Sequence, residues 1–115
     1  MEDKKMKVKN NINELIIDGV KPEQLKNLKE LQAHFDSRQS FYKKAYTGEF
    51  EGNGWTALYL KSYDTIVACI FQNQLRIYGG FSQTTARHIR EFAKQNGFDD
   101  VITFQDMQNT CVISK

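Results

Sequence analysis

Tyr78–Phe92, reading Y-G-G-F-S-Q-T-T-A-R-H-I-R-E-F, is a strand-to-helix corner, and the rest of the chain is read outward from it. The paired glycines permit a tight turn, and Ser82 is placed as the N-cap of the helix that follows, with Thr85 three residues on. At ~100° per residue, Ala86, Ile89, Phe92 and Ala93 share one side of that helix. Arg87, Arg90 and Lys94 fall within about 60° of one another on nearly the opposite side. Gly97 then supplies a helix stop.

Upstream, the rhythm is that of strands. Phe41 to Tyr46 alternates with period two, and Trp55 to Leu60 returns after the turn signal Glu51-Gly52-Asn53-Gly54. Ser62-Tyr63-Asp64-Thr65 marks a second turn. Ile66 to Phe71 is apolar on both faces, which belongs in the middle of a sheet, and Leu75 to Tyr78 follows after a break at Asn73. The connections are too short for crossovers, so the strands form an antiparallel meander.

Farther out, Asn10 or Asn11 can cap a short helix through Ile12, Leu15 and Ile16 that stops at Gly19. Leu25, Leu28, Leu31 and Phe35 recur every three or four residues behind Pro22 and predict a second helix. Downstream, Val101–Phe104 and Cys111–Ile113 offer short final strands. The expected fold class is α+β, an antiparallel four- to five-stranded meander sheet packed against N-terminal helices and one helix in the C-terminal half. Residues 1–9, with four lysines, read as a flexible basic arm, and residues 10–115 as a single α+β domain.

Bulk properties bound the function. A chain of 115 residues holds one modest core. The net charge of +2 gives a weak overall field, so any basic site must come from clustering. No apolar run approaches the ~20 residues of a membrane span, and the first residues lack the apolar stretch of a secretion signal. Cys69 and Cys111 are widely separated and read as reduced thiols of a cytoplasmic protein. Nothing has the spacing of a metal site, and no cofactor is expected.

The candidate partner-binding residues are Arg87, Arg90 and Lys94, because arginines in one stripe suit carboxylate or phosphate recognition. An ordinary solvated helix face is the competing reading. Tyr42, Lys44 and Arg76 are second candidates, since tyrosines (Tyr42, Tyr46, Tyr59, Tyr78) with basic residues on a sheet can stack unpaired bases. Ser82, Thr84 and Thr85 are candidates for an anion site at a helix start, although the P-loop order is absent and capping with a tight strand-to-helix turn is the favoured account of these residues. His88 sits at the edge of the apolar face and reads as a packing or hydrogen-bonding residue. A Cys69–His88 dyad is disfavoured by the apolar setting of Cys69.

Ser40-Phe41-Tyr42-Lys43-Lys44-Ala45, Ser62-Tyr63-Asp64-Thr65 and the run Ser82 to Phe92, closed by Gln95-Asn96-Gly97-Phe98, carry a resemblance when taken together. They resemble a family of small proteins of phages and mobile elements of Gram-positive bacteria, in which S-F-Y-x-K-A, S-Y-x-T and S-x-T-T-x-R-H-I-x-E-F recur in that order. The likeness covers roughly residues 40–98; Phe81 stands where such proteins more often have Tyr, and Glu51–Gly54 looks like a local lengthening. It implies a genetic setting rather than a mechanism, one in which small proteins often block host defences, anti-CRISPR proteins among them. The expectation is a non-enzymatic inhibitory binding protein of the bacterial cytoplasm, acting on a host defence protein or its nucleoprotein complex. The alternative is a nucleic-acid-binding accessory protein using the basic helix and the aromatic sheet. Whether the leucine face of the second helix closes the core or joins two chains is open.

Overall fold

The computed structural model describes residues 5–6, 17–33, 44–79, 82–98 and 111–114. They form an antiparallel sheet with one helix across it. The strands are β1 (Lys5–Met6), β2 (Lys26–Glu30), β3 (Ala45–Gly52), β4 (Trp55–Ser62), β5 (Thr65–Phe71), β6 (Gln74–Ile77) and β7 (Cys111–Ser114); the helix, α1, is Gln83–Gln95. The spatial order is β1-β7-β6-β5-β4-β3-β2. Six strands and the two-residue edge segment β1 thus make a sheet larger than the four or five strands expected.

The central meander follows the turn chemistry. Asn53-Gly54 closes β3 onto β4, with Gly54 at φ 81°. Tyr63-Asp64 turns β4 into β5, and Gln72-Asn73, both with positive φ, turn β5 into β6 as a two-residue hairpin requires. β5 lies at the centre, as its two-sided apolar character demands. After β6 the chain passes through α1 and returns as β7 against the free edge of β6, pairing Leu75 with Ile113 and Arg76 with Val112.

Both faces of the sheet are covered. On one, Ala86, Ile89, Phe92 and Ala93 of α1 pack with Leu60, Ala68, Leu75, Ile77 and Ile113. Each large apolar side chain buried here contributes about 1.5–3 kcal/mol. A register shift between Leu60 and Lys61 inserts a bulge in β5, so that Val67 and Ala68 both join this core. On the other face, Ile17, Val20 and Leu25 close over Ala57, Tyr59 and Cys69, with Phe50, Trp55, Ile66, Phe71 and Tyr78 around them. Residues 17–25 therefore act as a strap across the sheet.

The second N-terminal helix is corrected. A single 3-10 turn, Pro22–Gln24, leads into β2, which pairs with β3 at the sheet edge. The spacing of the leucines mimicked a helix because β2 is bulged between Lys26 and Lys29, with Asn27 at φ 57°. The extra residue puts Leu25 and Leu28 on the strap face of the sheet, where both reach Gly48. Leu31 turns to the helix face instead. Of the first expected helix, Ile17 and Asp18 are helical and Gly19 turns, while residues 10–16 lie outside the described residues. So do residues 41–43 and the strand expected at 101–104.

Candidate functional site

The outer face of α1 is built by the cap and the core stripe together. Ser82 Oγ accepts the Thr85 amide at 3.2 Å, and the apolar stripe then fixes the roll of the helix on the sheet. That roll leaves Arg87 and Arg90 partly exposed and Lys94 exposed. The acid of this helix, Glu91, is buried and accepts from Gln95 Nε2. The solvent side of α1, from Gln83 to Gln95, is therefore cationic or neutral along its whole length. At 1.5 Å rise per residue, Arg87 to Lys94 spans roughly 10 Å along the axis.

Beneath the start of α1 lies a buried polar relay. Ser62 Oγ is 2.8 Å from His88 Nδ1 and 3.0 Å from Thr85 Oγ1, and the Ser82 hydroxyl donates to Thr85 Oγ1 at 3.3 Å. Tyr63 stands beside it, its ring 6.2 Å from that of His88. The Tyr63 amide donates to the Lys44 carbonyl at 2.7 Å, and Lys44 Nζ lies 5.9 Å from the Tyr63 ring centre. Ala45 pairs with Ser62 in register. Lys44–Ala45, Ser62–Tyr63 and Ser82–His88, the described parts of the three motif segments that make these contacts, thus converge at one corner and tie β3, β4 and α1 together. A serine–imidazole contact is the geometry of an activated nucleophile. Here Ser62 and His88 are 2% and 0% exposed, so a substrate does not reach them. The role of Ser62 is not marked by any catalytic or binding motif; its place in the Ser-Tyr-Asp-Thr turn is the one local signal for it.

The candidate anion site is largely consumed by this arrangement. Ser82 and Thr85 serve the cap and the relay, leaving Thr84 partly exposed beside them. Gly80 and Phe81, which would complete the loop, lie outside the described residues.

The aromatic sheet face is corrected as an open surface. Tyr59 and Tyr78 do share the side of the sheet that carries Arg76, but the strap uses them. Tyr59 Oη donates to the Ile17 carbonyl and Tyr78 Oη to Asp18 Oδ1, each at 2.8 Å. Arg76, 1% exposed, clasps the same carboxylate with Nε at 2.8 Å and Nη2 at 2.6 Å. An arginine so placed meets a residue of its own chain. Tyr46 is partly exposed, with Lys61 Nζ 5.5 Å from its ring centre, and Tyr42 lies outside the described residues. Burial pushes the Tyr59 and Tyr78 hydroxyls well above the usual phenol range, and pushes the Cys69 thiol up to about 12. Cys69 faces the strap and His88 faces the helix side, so the sheet separates them.

Among the described residues no group of three His, Cys, Asp or Glu side chains is arranged to hold a metal ion. No helix among them is long and apolar enough to cross a membrane. Comparison with curated proteins and with solved structures finds no match. A family model, described as a family of unknown function, DUF8033, matches residues 29–109, and the chain belongs to that family.

Proposed function

We propose that this member of the DUF8033 family is a non-enzymatic binding protein whose contact surface is the outer face of α1, with Arg87, Arg90 and Lys94 meeting an anionic partner. The observation that carries the reading is the one-sided charge of that helix: three cations lie toward solvent and the acid Glu91 is turned inward. Two further features support binding over catalysis. The groups best suited to chemistry, Cys69 and His88, are buried on opposite sides of the sheet, and the raised pKa of Cys69 keeps its thiol protonated and inert.

The resemblance to proteins of phages and mobile elements gives the partner its class. In this reading the chain acts in the bacterial cytoplasm as an inhibitor of anti-CRISPR type. It occludes a host defence nuclease or that nuclease's nucleic-acid channel. Carboxylates on a protein and phosphates in a channel both suit the arginine fork.

The test is a phage-plating assay in a defence-competent host, paired with affinity purification of the tagged chain. The wild type is expected to restore plaques and to retain a defence nuclease. The double variant Arg87→Glu/Arg90→Glu is expected to lose both while still unfolding cooperatively, because neither side chain belongs to the apolar core. Restoration of plaques by the double variant at wild-type level would sink the assignment of the surface. Failure of the wild type to protect phage against any defence nuclease tested would sink the inhibitory reading. Binding of duplex or single-stranded probes by the isolated chain, falling steeply with salt, would move the function to direct nucleic-acid binding.

A further inference from the structure

The strap and the sheet face beneath it are related as ligand and receptor. Three side chains of the sheet reach the strap as donors: Tyr59 to the Ile17 carbonyl, and Arg76 and Tyr78 to the two oxygens of Asp18. Their positions are set by strand register, with Tyr59, Cys69 and Arg76 in one cross-strand row. The strap contributes what a short peptide would: one carboxylate, one accepting carbonyl, and the side chains of Ile17, Val20 and Leu25. An open depression lined by Val20, Pro22, Asp64, Ile66 and Tyr78 runs along it and leaves Asp18 23% exposed.

The division also follows the family boundary. The receptor residues, from Phe50 to Tyr78, lie inside the stretch 29–109 that the family shares, and the strap lies outside it. We infer that this sheet face is a peptide-docking groove, occupied in this chain by its own residues 17–25. A partner presenting an aliphatic–Asp–Gly–aliphatic segment would compete for it by displacing the strap. A peptide fits better than nucleic acid. Among the described residues Arg76 is the only buried guanidinium or ammonium, and it clasps the Asp18 carboxylate, whereas a phosphodiester chain brings a charge with every nucleotide. Tethering gives the strap an effective concentration on the order of millimolar, so an external peptide binds wild type weakly unless the strap is loosened.

Two measurements test this on the full-length chain. In wild type, hydrogen exchange should show amides of residues 17–25 opening at least ten-fold faster than those of β5 and α1, without global unfolding. Exchange of the strap only through global unfolding would overturn the proposal. A labelled peptide with the sequence of residues 16–25, I-I-D-G-V-K-P-E-Q-L, should bind the Asp18→Asn chain at least ten-fold more tightly than wild type. Changing the aspartate of the peptide to asparagine should weaken that binding ten-fold or more. Equal binding of both peptides to a folded Asp18→Asn chain overturns the proposal. A single-stranded oligonucleotide that displaces the peptide from that chain, and loses binding on Arg76→Gln, overturns the peptide assignment in favour of nucleic acid.

Discussion

Ser62 is the residue through which two layers of the molecule are joined, since its hydroxyl serves both Thr85 and His88 of the helix from a position on β4. Replacing it by alanine removes a hydrogen bond to a fully buried imidazole that water does not reach. The expected cost is about 1–3 kcal/mol. At about 4–8 °C per kcal/mol for a small domain, that is read as a clear fall in melting temperature. Ser82→Ala removes the helix cap, also worth roughly 1 kcal/mol, but its site is exposed and water substitutes in part. Ser62→Ala should therefore be the more damaging of the two; the reverse order would show that the relay contributes little. His88 was legible as a hydrogen-bonding residue at the edge of an apolar face. Its partner was not, because contact between positions 62 and 88 depends on which strand the helix crosses, and no local pattern encodes that.

The corner at Ser82, α1 itself and the three hairpin turns could be read from sequence, because capping, positive-φ turn residues and a 3.6-residue period are local causes. β2 could not. A bulged edge strand placed Leu25 and Leu28 three apart on one face, and that spacing is indistinguishable from one turn of a helix. Backbone pairing with β3 then overrode the apparent periodicity. The strap's use of Tyr59, Arg76 and Tyr78 was equally hidden, since Asp18 lies nearly sixty positions from Arg76. The bulged arrangement has a direct consequence at Gly48. A Cβ there would come within 2.9 Å of both Leu25 Cβ and Leu28 Cδ2. Gly48→Ala should therefore destabilise by about 1–3 kcal/mol through overpacking, measured by urea unfolding. Adding Leu28→Ala should recover part of the loss, because Leu28 is 47% exposed and contributes little burial of its own. No recovery would mean that Leu25 alone sets the limit.

At the scale of the whole molecule, one sheet carries two cores of different character. The helix side is mainly aliphatic, with the Ser62 relay at its end; the strap side is aromatic and, beside the Arg76–Asp18 pair, holds three groups whose pKa burial raises, Tyr59, Cys69 and Tyr78. That asymmetry predicts how stability responds to alkali. Burial raises all three pKa values in the folded chain, whereas on unfolding the thiol ionises near 9.0 and the phenols near 10.0. Above those values the folded state holds more protons than the unfolded one, so stability must fall as pH rises. At neutral pH, well below 9.0, the three groups are protonated in both states, and they contribute no slope. Each group adds up to ~1.4 kcal/mol per pH unit once its unfolded form ionises. The melting temperature is thus expected to be flat from neutrality to about pH 8, to decline through about pH 9 with Cys69, and to steepen through about pH 10 as the tyrosines join. Cys69→Ala should lower the neutral-pH baseline by leaving a small void, yet shift the onset of the alkaline decline upward by about one pH unit, to where the tyrosines titrate. An onset unmoved by that substitution would place the alkaline sensitivity elsewhere than on the strap face.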